Sequence, residues 1–181
     1  YTSPIALESY FARVSYNYKS KYFAEASVRR DGSSKYRYDK WGTFWAVGAS
    51  WRMAEENFIK NNSNWINELK IRANIGSTGN QELTATSYPF SNLWTIGESN
   101  GDFTITQAWT GNRDLTWEKV LSMDAGVDFR FWNKFHGAID VYRRVTTDLV
   151  FPVPQAPSTG RTSRYENDGK LANQGIELDL N

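Results

Sequence analysis

Cysteine is absent from the 181 residues. Its absence excludes a disulfide framework and any thiolate metal site. A surplus of one charge is also missing: 21 Lys and Arg stand against 20 Asp and Glu, a net charge of +1. That balance gives no electrostatic argument for nucleic acid or for an acidic partner. No apolar run reaches the roughly 18 residues that a membrane-spanning helix needs. Mean hydropathy is −0.62. Neither observation speaks against a membrane β-barrel, because every second residue of its strands faces a wet lumen.

Catalytic chemistry is equally scarce. The one histidine, His136, falls on the polar side of an alternating run, where a lone His is ordinarily structural or lumen-lining. There is no Gly-x-Ser-x-Gly elbow, no P-loop and no dinucleotide-binding glycine signature. Asp124 and Asp128 share a strand face but lie roughly 13 Å apart at strand rise, too far to work on one bond. Asp31, Asp102 and Asp168 do not have calcium-loop spacing. Asn61-Asn62-Ser63 is only a formal glycosylation acceptor. The expectation is a protein that is not an enzyme, with no cofactor and no metal.

What the chain does have is aromatics, at 15% of residues, and strict alternation. From Trp117, every second residue reads Trp117, Lys119, Leu121, Met123, Ala125, Val127, Phe129, Phe131. Between them stand Glu118, Val120, Ser122, Asp124, Gly126, Asp128 and Arg130. Alternate side chains on a strand point to opposite faces, so this strand has one apolar face and one charged face. It continues for about fifteen residues, where a globular strand has about five or six. Trp132-Asn133-Lys134 then makes a tight turn. The alternation restarts with Phe135, Gly137, Ile139 and Val141 against His136, Ala138, Asp140 and Tyr142.

Similar runs occupy 9–18, 22–29, 43–52, 68–77 and 173–181. The connections alternate in length. Lys19–Lys21 and Trp132–Lys134 are short, Met53–Asn67 is intermediate, and Asp31–Gly42, Thr78–Thr116 and Asp148–Ala172 are long. A short helical turn is expected over Ala54–Ile59. Aromatics gather beside the short turns: Tyr16, Tyr18 and Tyr22 at one, Phe129, Phe131, Trp132 and Phe135 at the other. Short turns on one side, long loops on the other and aromatic girdles are the pattern of an outer-membrane barrel. The fold expected is all-β, an antiparallel transmembrane β-barrel segment of about seven strands, fewer than the eight or more of a closed bacterial barrel. A strand pattern that stops mid-run at Asn181 fits a piece of a larger wall. A soluble all-β module that binds carbohydrate through its Trp and Tyr is the competing reading.

The ordered motifs resemble the SusC/RagA family of TonB-linked outer-membrane transporters. Tyr16-Asn17-Tyr18-Lys19-Ser20-Lys21-Tyr22 and Arg29-Arg30-Asp31-Gly32-Ser33-Ser34 are similar to that family's hairpin and following loop. Trp41-Gly42-x-Phe44, Gly48-x-Ser50-Trp51-Arg52 and Glu55-Glu56-x-Phe58 follow. Then come Leu69-Lys70-Ile71-Arg72, Gly76-Ser77-Thr78-Gly79-Asn80-Gln81 and Asn112-Arg113-Asp114-Leu115-Thr116-Trp117-Glu118. Arg143-x-x-Thr146-x-Asp148-Leu149 and Asn173-x-Gly175-Ile176-Glu177-Leu178 complete the order.

The resemblance implies a barrel of about 22 strands around a plug. It implies a SusD-like surface lipoprotein as lid, and energy from a TonB complex. The expected role is a segment of an outer-membrane transporter, in a Gram-negative bacterium, that imports glycan or peptide oligomers. Residues 1–181 would be barrel alone, with no plug domain. Outer-membrane lipid is the expected surroundings. A siderophore-type TonB-dependent receptor is a further alternative. Flat rings in the long loops are candidate contacts for substrate or lid: Trp94, Trp109, Tyr88 and Phe103. Loop packing among aromatic neighbours is the bland account of the same residues.

Overall fold

A computed structural model of the chain describes residues 5–82, 87–159 and 163–181. Strands β1 (Leu7–Tyr18), β2 (Tyr22–Ser33), β3 (Trp41–Arg52), β4 (Ile66–Asn80), β7 (Glu118–Phe131), β8 (Phe135–Pro154) and β9 (Ser163–Leu180) form one seven-stranded sheet. Each pairs antiparallel with its neighbour in the order β1-β2-β3-β4-β7-β8-β9. Strands β5 (Leu93–Ser99) and β6 (Asp102–Trp109) form a separate hairpin between β4 and β7. The expected helical turn appears as a 3-10 turn at Met53–Glu55 and a short α1 at Asn57–Lys60.

The register carries the alternation across the whole wall. One face presents the row Tyr16, Ala24, Ala49, Ala73, Ala125, Val141, Ile176, and beside it Tyr18, Tyr22, Trp51, Ile71, Val127, Ile139, Leu178. The other face presents Asn17, Phe23, Ser50, Arg72, Gly126, Asp140, Glu177. Most of the large apolar side chains lie exposed on the first face. In water such a surface would be a liability, whereas hydrocarbon is its natural solvent. The sheet is an open, partial barrel wall.

Both tight turns use left-handed backbone at ordinary residues: Lys19 and Ser20 at φ 52° and 54°, Trp132 and Asn133 at φ 52° and 54°. Two successive left-handed residues match the twist of the flanking strands. Local bonds offset the strain. Asn17 Oδ1 accepts the Ser20 amide at 3.0 Å, and Asn67 Oδ1 accepts the Asn133 amide at 2.7 Å. Trp132 also stacks on Trp65 at 5.3 Å, which fixes an aromatic belt beside the turn.

The buried core is small and sits at the long-loop end. Tyr36, Phe44, Leu115 and Trp117 pack there, with Val150 against them. The Phe44 ring occupies the space a Cβ would take at Gly79. Trp117 Nε1 donates to the Lys40 carbonyl at 3.2 Å, tying the β2–β3 loop to the start of β7. Burial pushes the Tyr36 hydroxyl's pKa up, and the charge of Glu118 adds to the effect.

Three expectations need correction. Thr78–Thr116 is not an unstructured connection, because it contains β5 and β6. Strand β9 begins at Ser163 rather than near Asn173, and β8 continues to Pro154, so Asp148–Ala172 is largely strand. Strand β2 likewise runs on to Ser33. In β8 the period is broken by register shifts around Leu149 and by Asp148 at φ 57°, which hides the continuation from a simple alternation test.

Candidate functional site

The β5–β6 hairpin carries a row of exposed apolar side chains. Its turn is Asn100-Gly101, at φ 53° and 86°, the sequence and geometry of a tight two-residue hairpin. Ile96 pairs with Ile105, Glu98 with Phe103 and Trp94 with Gln107. Cross-strand partners share a face. One side of the ribbon therefore carries Trp94, Ile96, Phe103 and Ile105, exposed by 61%, 71%, 86% and 68%. The reverse side carries Thr95, Gly97, Thr104 and Thr106. Among the described residues the ribbon pairs with no strand of the main sheet.

Its root is anchored. Trp109 stacks on Tyr165 with ring centroids 4.5 Å apart, and its Nε1 donates to the Pro89 carbonyl at 3.2 Å. Asn112 donates its side-chain amide to the Tyr165 carbonyl at 2.8 Å and accepts from Arg164 Nη2 at 2.7 Å. Asn92 Oδ1 accepts the Gly111 amide at 2.9 Å. An anchored root with an uncovered apolar face presents its side chains in a fixed array. Burying each large one is worth about 1.5–3 kcal/mol.

The four ring residues singled out by sequence thus fall in two places. Trp94 and Phe103 lie on the exposed face. Trp109 and Tyr88 lie at the root, where Tyr88 meets Phe90 edge-on at 6.2 Å. Ile96 and Ile105, which complete the face, were not singled out. The signal for them was the alternation around Asn100-Gly101.

The polar face of the wall is cross-linked by charge. Arg72 on β4 donates to Asp128 on β7 at 3.3 Å and to Asp140 on β8 at 2.7 Å. Lys70 lies 3.7 Å from Asp128, Asn74 donates to Asp124 at 2.8 Å, and Arg130 lies 3.8 Å from Glu68. Asp124 and Asp128 therefore serve separate partners. His136 pairs with Arg130 in the register. Among the described residues no group of His, Asp and Glu could hold a metal ion. This arrangement cross-links β4, β7 and β8.

Residues 1–181 match the family described as TonB dependent receptor-like, beta-barrel. TonB-dependent receptor P39 of Formosa agariphila is 37% identical over 178 residues, 97% of this chain and 17% of that protein. TonB-dependent receptor SusC of Bacteroides thetaiotaomicron is 32% identical over 191 residues, 100% of this chain and 19% of that protein. The solved RagAB peptide transporter aligns with a TM-score of 0.85 and 30% identity, covering 97% of this chain and 20% of that one. The siderophore receptor PirA from Pseudomonas aeruginosa aligns at 0.66 with 14% identity, over 97% of this chain and 31% of that one, a likeness of fold alone. The chain spans about a fifth of the SusC and RagAB-type chains it matches.

Proposed function

The chain belongs to the TonB-dependent receptor β-barrel family, in its SusC/RagA branch, and from that premise we propose that it is one wall panel of an outer-membrane importer of glycan or peptide oligomers. The observation that carries this reading is the pair of continuous faces. Apolar rows cross the seven strands on one side, and rows of polar, charged and small residues cross them on the other. Lipid and a wet lumen are the two solvents that such faces need. The open sheet edges would be paired by further strands of the same barrel, since unpaired backbone is costly in lipid.

On this reading the long-loop end faces outside, and the β5–β6 ribbon rises there. Its array of Trp94, Ile96, Phe103 and Ile105 suits a protein lid or the flat faces of a sugar or peptide ligand. A SusD-like lipoprotein is the lid we propose. A TonB complex, engaging another part of the receptor, would supply energy. The RagAB neighbour is a peptide transporter, which supports a peptide, and the exposed Trp94 and Phe103 rings would stack equally well on a sugar.

The test is a deletion of 93–109 in the intact receptor. The expected result is loss of lipoprotein co-purification and of oligomer uptake, while the receptor still fractionates with the outer membrane and keeps its heat-modifiable gel mobility. Uptake and co-purification at wild-type level after the deletion would remove the ribbon's role. A receptor that stays monomeric in plain buffer would remove the barrel reading itself.

A further inference from the structure

The apolar face has a misfit part-way up β8 and β9. The row Val14, Ala26, Val47, Ile75, Met123 continues onto β8 and β9 as Arg143 and Gln174, which pair with each other in the register. Above and below them on the same face stand Val141, Val145, Ala172 and Ile176. Of the other cations on this face, Arg30 lies over the Trp41 ring at 5.3 Å and Lys119 lies 3.4 Å from Asp148, while Lys170 stands beyond Ala172 toward the loops. Among the described residues the Arg143 and Gln174 side chains have no hydrogen-bond, ion-pair or ring partner. A guanidinium and a carboxamide therefore sit side by side, unpaired, in a wall that otherwise suits hydrocarbon.

Their height narrows the occupant. Arg143 lies about 26 Å along β8 from Phe135 at about 3.3 Å per residue. With a tilt of about 40° that is about 20 Å above the short turn, near the top of an apolar band about 25 Å tall. Only Val145 stands between it and Thr147 on this face. A long side chain there can keep its stem in hydrocarbon and carry its charge to head-group level.

We infer that Arg143 and Gln174 form a site on the lipid-facing wall for the phosphate of an anionic lipid in the outer leaflet. The guanidinium supplies charge and paired donors matched to phosphate oxygens. The carboxamide supplies a further donor, and Val141, Val145 and Ile176 supply the surface for the acyl chains. Lys119, two steps nearer the loops on this face and across from Thr147, is itself paired with Asp148. The site rests on the outer-membrane reading above.

The test compares the intact receptor with Arg143→Leu, Arg143→Lys, Gln174→Leu and the lumen-face control Arg144→Leu. Each is delipidated in detergent, then titrated with phosphatidylglycerol or phosphatidylcholine under native mass spectrometry. Wild type and Arg144→Leu should prefer phosphatidylglycerol. Arg143→Leu should lose about tenfold in its affinity, the loss expected for one charge-assisted hydrogen bond. Arg143→Lys should recover part of it, and Gln174→Leu should lose less. Excess inorganic phosphate should displace none of the bound lipid. Equal retention by Arg143→Leu overturns the site. Displacement by inorganic phosphate overturns the lipid as its source. An oligomer that dissociates in Arg143→Leu with lipid retention unchanged also overturns it, and assigns the pair to a protein contact. Wild-type heat-modifiable mobility reports the barrel separately, so a failure there refutes the outer-membrane reading and the lipid site with it. Normal mobility with no effect of Arg143→Leu refutes the lipid site alone.

Discussion

Arg72 and Asp140 meet across an intervening strand, with Nη2 2.7 Å from Oδ2. Strand β7 lies between them, and the residue in the gap is Gly126. A Cβ at Gly126 would collide with Asp140 Oδ1 and come within 2.9 Å of Arg72 Cζ. The glycine is therefore a notch through which a charged side chain crosses from β4 to β8. Both side chains are about three-quarters shielded from solvent, so the pair counts for more than a surface ion pair.

Gly126→Val should close the notch and separate Arg72 from Asp140. Leaving a shielded charge poorly paired costs about 1–3 kcal/mol. The expected outcome is a lower temperature for loss of the heat-modifiable gel band in the intact receptor. Asp140→Asn should give a smaller drop, because it removes the carboxylate charge that Gly126→Val leaves unpaired, while Arg72 keeps Asp128 at 3.3 Å in both. A Gly126→Val receptor as heat-resistant as wild type would show that the crossing contributes nothing.

Glu56 ties the helical turn to the barrel rim. Its carboxylate accepts from the Tyr22 hydroxyl at 2.7 Å, from Trp51 Nε1 at 3.3 Å and from Lys21 Nζ at 3.2 Å. These bonds, that from Tyr22 foremost, hold its pKa below the ordinary 4.5. A carboxylate whose pKa is lower folded than unfolded contributes stability above its unfolded pKa. That contribution fades as pH falls toward the folded value. Glu56→Gln should therefore destabilise at pH 7 and show less further loss than wild type on acidification through 4.5. Thermal melts of both proteins across that window decide it, and parallel curves would count against the role.

Gly101 sits at φ 86° with open space around it, so a side chain there meets backbone strain and nothing else. Gly101→Val should cost about 1–2 kcal/mol, the usual penalty for left-handed backbone at a residue with a side chain. The loss should be local, because β5 and β6 pair only with each other. Hydrogen exchange should quicken in 93–109 and stay unchanged in β7 and β8. Faster exchange throughout the sheet would mean that the ribbon is coupled to the wall.

The wall strands were legible in the sequence because two solvents impose a period of two. Val127 and Ile139 face one of them, Asp128 and Asp140 the other. Toward the long-loop end that contrast ends. There Val150 packs on the Tyr36 cluster, and a bulge at Asp148 shifts the register, so the upper parts of β8 and β9 escaped. The β5–β6 ribbon was written in the sequence by Asn100-Gly101 and its flanking alternation, although its length is modest. The Arg72–Asp140 crossing could not be read at all. It depends on which residue of β7 lies between β4 and β8, and only the register supplies that.

Trp109 and Phe103 belong to one strand and should behave oppositely when truncated. Trp109→Ala removes the stack on Tyr165 and the bond to Pro89, both internal to the chain. The ribbon's root should loosen, giving a protease-sensitive loop whether or not a partner is present. Phe103→Ala removes a ring that is 86% exposed. The free receptor's protease pattern should not change. Binding of the proposed lid lipoprotein or oligomer should weaken by about ten- to a hundredfold, the equivalent of about 1.5–3 kcal/mol for one buried ring. Limited proteolysis and a binding titration on the same two variants separate anchor from contact. If Phe103→Ala binds like wild type, the exposed face is not where the partner docks. If Trp109→Ala is as protease-resistant as wild type, the stack on Tyr165 is not what holds the root.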